Sequence, residues 1–167
     1  MQQHNSITAI IIDDEPLARL MIKEYLQPYT NIEVLQECGD GFEGIKAIQQ
    51  HQPDLIFLDI QMPKINGFEM LELIDNPPAV IFTTAFEEYA IKAFDAHAAD
   101  YLLKPFSKER FNKAIQKMIS QKSNIATVVA DTALQALSTT TVATLLFCNI
   151  IFWMALLKRS LLNGFSK

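Results

Sequence analysis

Cysteine is scarce in this chain, and the two that occur, Cys38 and Cys148, form no CxxC or Cys/His grouping. That argues against a structural zinc site or a disulfide framework and leaves buried, inert thiols as the expected state. The three histidines, His4, His51 and His97, share no metal-ligand spacing and are expected on the surface or in turns. Basic charge is short as well: 14 Lys and Arg face 19 Asp and Glu, a net charge of −5. The deficit sits in the body. Three of the basic residues and one of the acidic ones lie beyond residue 122, leaving −7 on residues 1–122. Such a body lacks the basic patch of a phosphate-backbone binder, so no direct nucleic-acid binding is expected. Met1 to Ser6 is polar and lacks the basic-then-apolar form of a secretion signal, which implies a cytoplasmic first domain. There is no Gly/Ser linker and no convincing internal repeat; Ser120 to Asn124 is the one candidate joint.

What the chain has in plenty is apolar residues, half of the total, arranged in short runs. With 167 residues it can hold one ordinary domain plus an appendage. Runs at 7–12, 32–37, 54–58, 79–83 and 99–103 read as strands. Helices are expected from Pro16, with Leu17, Leu20, Met21 and Leu26 as the apolar face, and at about 41–51, 67–75, 87–95 and 107–121. Alternation of this kind is the signature of a parallel sheet with crossover helices on both faces. Five βα units over residues 1–122 fit an α/β, flavodoxin-like (βα)5 doubly wound domain, whose ligands bind at the carboxyl ends of the strands.

Those ends carry the chemistry. The first run stops at Asp13-Asp14, the third at Asp59 and the last at Lys104-Pro105, with Thr83 and Thr84 closing the fourth. Asp59 follows Leu55-Ile56-Phe57-Leu58, where a carboxylate costs several kcal/mol to desolvate unless a cation or a donor meets it. Three carboxylates and one ammonium on one rim suggest a metal-dependent phosphoryl site.

Asp13-Asp14, Asp59 with Met62-Pro63 and Gly67, Thr84-Ala85, Tyr101 and Lys104-Pro105-Phe106 together resemble the receiver domain of two-component response regulators. Each motif alone is weak, but their order and spacing span roughly residues 5–122. Thr83 to Ala90 and Ala99 to Pro105 look most like the LytR/AlgR-type (LytTR) subfamily. The resemblance implies that Asp59 accepts a phosphoryl group from a sensor histidine kinase or a small acyl phosphate. It implies Mg²⁺ held by Asp14 and Asp59 directly, by Asp13 through a bound water and by the backbone carbonyl of Gln61; a hard ion of this kind takes one or two carboxylates and keeps waters. Lys104 would clamp the phosphoryl oxygens. Thr84, rather than Thr83, would bind the phosphoryl group, and Tyr101 would follow it inward, changing the face of the fourth helix, fifth strand and fifth helix through which homodimers or heterodimers form. A cis Lys104-Pro105 peptide is also implied. Gln61 and Phe86 should flank the path of the hydrolytic water and offer it no general base, which predicts a long-lived acyl phosphate.

Blander readings exist for each part. Asp13-Asp14-Glu15 could complement a helix N-terminus, Lys104-Pro105-Phe106 could be a turn, and Tyr101, Met62, Met70 and Met118 could be core packing. A phosphorylation-independent interaction module is one alternative function. Another is a Mg²⁺-dependent phosphatase with an aspartyl-phosphate intermediate, which in the haloacid-dehalogenase-like pattern carries a second Asp where this chain has Gln61. Otherwise the domain is no enzyme beyond its own phosphorylation and dephosphorylation. Residues 123–167 form a hydrophobic tail, uncharged from Thr132 to Leu157. It reads as a transmembrane helix at about 139–157, giving membrane association, as the remnant of a lost DNA-binding effector domain, or as a helix docking on the receiver or a partner.

Overall fold

The computed structural model describes residues 6–96 and 98–121. The chain divides into two units, Met1–Ser120 and Gln121–Lys167, and the architecture below is that of the first. The readings of the tail, and those of His4 and His97, lie outside the described residues; His51 is half-buried at the end of a helix.

Five strands, β1 (Ile7–Ile12), β2 (Ile32–Cys38), β3 (Leu55–Leu58), β4 (Ala79–Thr84) and β5 (Asp100–Leu103), pair in parallel in the order β2-β1-β3-β4-β5. The helices between them are α1 (Pro16–Leu26), α2 (Gly41–His51), α3 (Gly67–Glu72) and α4 (Ala90–Asp95), the last entered through a 3₁₀ turn at Glu87–Tyr89. Residues 108–121 form a fifth helix, α5. This is the flavodoxin-like doubly wound order, with its switch point between β1 and β3.

Strand alternation sorts the core into two layers. Ile7, Ala9, Ile11, Leu55, Phe57 and Ile81 pack with Ile22 and Leu26 of α1 and with Phe111, Ala114, Ile115 and Met118 of α5. Ile10, Ile12, Ile56, Leu58, Val80 and Phe82 face the other way, onto Ala47 and Ile48 of α2, Phe68 and Met70 of α3 and Ala93 of α4. Both faces of the sheet are thus covered, which is why its central strands read as unbroken apolar runs rather than alternating ones. Phe57 stacks on Phe111 with ring centroids 5.5 Å apart, tying the central strand to α5.

Local signals set the helix starts. Pro16 opens α1, where its missing N–H costs nothing. The Asp40 carboxylate caps α2 by accepting from Glu43 N–H at 2.9 Å, and Asn66 with Glu69 forms a capping box on α3. One expectation is corrected: Leu17 and Leu20 do not line the apolar face of α1, being 79% and 59% exposed. The buried stripe is Ala18, Ile22 and Leu26, a spacing of four that turns Leu17 and Leu20 outward. Helix α3 ends at Glu72, three residues short of the expected 75, before the two prolines Pro77-Pro78.

Candidate functional site

Register brings the strand ends together. Ile12 pairs with Leu58, so Asp13 and Asp59 leave adjacent strands side by side, with Asp59 N–H donating to the Ile12 carbonyl at 2.9 Å. Thr84 pairs with Leu103, and Lys104 N–H donates to the Thr84 carbonyl at 2.7 Å. Asp13 is fully buried, Asp59 nearly so, and Asp14 is exposed. One carboxylate oxygen from each of the three lies within 4.8 Å of the other two.

Lys104 reaches across this cluster. Its Nζ stands 2.7 Å from Asp13 Oδ2, 3.3 Å from Asp59 Oδ2 and 3.2 Å from Glu15 Oε2. Burial alone would lower the Lys104 pKa, but the facing Asp13 and Asp59 carboxylates overcome it and hold the ammonium above its ordinary value. Burial raises the Asp13 pKa by more than Lys104 lowers it, with the Asp59 charge adding to the rise. Asp13 Oδ1 accepts from Glu15 N–H at 3.0 Å, whereas its Oδ2 meets the ammonium without a well-aligned hydrogen bond. Asp59 Oδ1 accepts from the N–H of Ile60 at 2.6 Å, which fixes the rotamer and leaves Oδ2 forward. The cluster therefore has more negative charge than one ammonium neutralises. A hard divalent cation with oxygen ligands fits the donor set and the under-satisfied Asp13 oxygen.

Thr83 and Thr84 are both fully buried, and their hydroxyls have no hydrogen-bond partner among the described residues. Tyr101 is half-buried on the same sheet face as Phe82, ring centroids 6.5 Å apart, and its hydroxyl donates to the carbonyl of Phe86. Burial, then the charges of Glu88 and Asp59, hold its pKa above the ordinary tyrosine value. Gln61 is exposed, and its Nε2 donates to the hydroxyl of Tyr89 at 3.4 Å; Phe86 lies edge-on to the same ring, at 6.2 Å. The two positions singled out beside the water path thus share Tyr89. The Lys104-Pro105 peptide is cis.

Three residues contribute in ways that a reading of the sequence alone does not reveal. Glu15 joins Lys104, although only its place before a helix was evident. Arg19 donates from Nη1 to the Asp13 carbonyl at 2.6 Å, a contact with backbone that no motif announces. Gly67 gives its N–H to the Ile60 carbonyl at 2.8 Å, and a Cβ there would stand 2.4 Å from the carbonyl oxygen of Asp59. The glycine lets the β3–α3 turn close directly behind Asp59.

The response regulator receiver domain model matches residues 9–116. The transcriptional regulatory protein BtsR of Escherichia coli K12 is 47% identical over 119 residues, 70% of this chain and 50% of BtsR. An uncharacterized response regulatory protein of Yersinia pestis is 43% identical over 128 residues, 74% of this chain and 54% of that protein. The chain thus spans about half the length of the curated relatives it matches. Among solved structures, the response regulatory domain of mrkE from Klebsiella pneumoniae superposes with a TM-score of 0.65 at 30% identity, covering 71% of this chain and 99% of that domain.

Proposed function

This chain belongs to the response regulator receiver domain family, and from that premise we propose that it is phosphorylated on Asp59 by a sensor histidine kinase. The observation that carries the proposal is the meeting of Asp13, Asp14 and Asp59 with Lys104 at the carboxyl edge of the sheet.

Asp59 Oδ2 attacks the phosphorus of a phosphohistidine. The new O–P bond forms as the P–N bond breaks and its electron pair returns to the imidazole nitrogen, leaving an acyl phosphate on Asp59. A carboxylate approaching a phosphoryl dianion meets like charge, so the site must bring cations to the line of transfer. Mg²⁺, held by Asp14, Asp59, the Gln61 carbonyl and, through water, Asp13, would neutralise charge shared between carboxylate and phosphoryl oxygens. Lys104 then exchanges its contact with Asp59 for the phosphoryl oxygens, and its raised pKa keeps it charged through the physiological range. Thr84 supplies a buried hydroxyl with no competing partner among the described residues, ready to donate to a phosphoryl oxygen. Thr84 moves toward the phosphoryl group, and Tyr101, fastened to the Phe86 carbonyl, carries the shift to the β4–α4 segment.

The output surface is the face of α4, β5 and α5, where Ile91, Phe94 and Leu103 are exposed. An apolar surface of this kind suits dimerisation with a second receiver. On the residues Thr83 to Ala90 and Ala99 to Pro105 the subfamily is LytR/AlgR-type, and the site of action is the cytoplasm. No helix among the described residues is long and apolar enough to cross a membrane.

Incubation with Mg²⁺ and acetyl phosphate, read by intact mass, tests the proposal. One added phosphoryl group on the wild type and none on Asp59→Asn is the expected pair of results. Unmodified wild-type protein would instead favour an interaction module that works without phosphorylation.

A further inference from the structure

Arg19 lies one turn into α1, and its side chain is only 19% exposed. Its Nη1 donates to the main-chain carbonyl of Asp13 at 2.6 Å. Its Nε lies 3.7 Å from Glu37 Oε2, too far for a hydrogen bond, and Glu37 is also engaged by Lys23 at 2.6 Å. Desolvating a guanidinium for one carbonyl and one loose carboxylate is costly for stability alone.

The carbonyl it holds belongs to the residue between the end of β1 and Asp14. Asp13 is fixed on its other sides as well: its N–H donates to the Cys38 carbonyl at 3.1 Å, Oδ1 accepts from Glu15 N–H, and Oδ2 faces Lys104. Among the described residues, Arg19 makes the contact on the Asp13–Asp14 peptide plane, and that plane sets the direction in which Asp14 leaves the strand. Asp14 is exposed, so packing does not aim it.

We infer that Arg19 is the positioning residue of the metal carboxylates: it contributes no ligand, but by clamping the Asp13–Asp14 peptide it pre-orients Asp13 and Asp14 toward Asp59. Groups that orient metal ligands through a hydrogen bond commonly contribute about 10–100-fold to affinity. The sign is diagnostic. A cation acting only through its charge weakens Mg²⁺ binding, so its removal tightens it. A residue acting only on the fold lowers the melting temperature and leaves the dissociation constant alone. A positioning residue does the reverse of the first and more than the second.

The inference rests on the Mg²⁺ reading above, and the experiment separates the two. Mg²⁺ is titrated by calorimetry into the full chain as wild type, Arg19→Met, Arg19→Lys and Asp14→Asn, with melting temperatures recorded in chelator. Arg19→Met, which keeps the aliphatic stem, is expected to bind about tenfold more weakly or worse, and Arg19→Lys, with one donor retained, to recover part of the loss. An unchanged or tighter constant in Arg19→Met, beside normal wild-type binding, overturns this inference alone. A wild type that binds no Mg²⁺, or an Asp14→Asn that binds it normally, overturns the metal reading and this one with it. Should Arg19→Met not fold, nitrogen-15 NMR of the wild type decides. The Arg19 guanidinium signals are expected to be protected from exchange and to shift as Mg²⁺ saturates, and signals that do neither refute the role.

Discussion

Replacing Lys104 by Met removes one charge and little volume, and its consequence follows from three distances. Nζ lies 2.7 Å from Asp13 Oδ2, 3.3 Å from Asp59 Oδ2 and 3.2 Å from Glu15 Oε2. The first two partners are buried and Glu15 is largely exposed, so only the pairs with Asp13 and Asp59 escape solvent screening. At an effective dielectric near 20, each contact is worth about 5–6 kcal/mol in Coulomb energy, offset by desolvation of the ammonium. Removing one partner of a buried pair costs about 3–5 kcal/mol, because the remaining charge is left without compensation. The lower end applies to Lys104, which keeps 13% of its side chain in contact with solvent. About 3 kcal/mol in a domain of this size lowers the melting temperature by roughly 10 °C. Lys104→Met should therefore melt well below the wild type in chelator, and Mg²⁺ should restore more stability to the variant than to the wild type, since it no longer competes with the ammonium for the same carboxylates. Urea denaturation with and without Mg²⁺ measures both effects. A metal-free variant as stable as the wild type would refute the claim that Lys104 neutralises the cluster. The pH dependence has a defined sign. The folded Lys104 pKa is raised, so its contribution is complete below the unfolded value of about 10.4 and is lost as pH climbs through the higher folded value.

Gly67→Ala forces a Cβ to 2.4 Å from the Asp59 carbonyl; a loss of about 1–3 kcal/mol in urea and slower acetyl phosphate labelling are expected, and wild-type values for both would contradict the packing argument. Phe86→Glu gives the water path a carboxylate and should shorten the acyl phosphate lifetime several-fold, read by following loss of the phosphorylated mass; an unchanged lifetime would show that Phe86 does not shield the bond. Arg110 donates to both Asp100 oxygens, at 2.9 and 2.7 Å. Although burial alone would raise the Asp100 pKa, this pairing holds it below the ordinary carboxylate value. That contribution is present above the unfolded pKa near 3.9 and lost as pH falls through the lower folded value. Arg110→Ala should accordingly differ most from wild type at neutral pH, and the two melting curves should converge in acid.

The parallel sheet was legible because β1, β3 and β4 are buried on both faces and read as uninterrupted apolar runs, each ended by a polar residue the chain could not bury cheaply. Asp13, Asp14 and Asp59 were visible for that reason and Lys104 by its place at the end of the fifth run, and the structure assembles the four on one edge. The orientation of α1 was not. Leu17 and Leu20 outweigh Ala18 in any hydrophobicity count, yet Ala18 is the residue the helix buries. The supports of the site were hidden for a different reason: Arg19 acts on a backbone carbonyl, and Gly67, although part of the motif, acts by lacking an atom, so neither pattern nor charge reveals what they do. Tyr89 joins Gln61 to Phe86 across the β4–α4 segment, a contact between residues 28 positions apart that only the fold creates.

The central claim is that Asp59 carries the acyl phosphate, and chemical trapping tests it most directly. The chain is treated with Mg²⁺ and acetyl phosphate, reduced with borohydride and mapped by peptide mass spectrometry. An acyl phosphate is reduced to the alcohol, so homoserine is expected at position 59 and at no other aspartate, and only when phosphodonor and Mg²⁺ are both supplied. Homoserine at Asp13 or Asp14 instead, or none anywhere in a folded protein, would contradict the account.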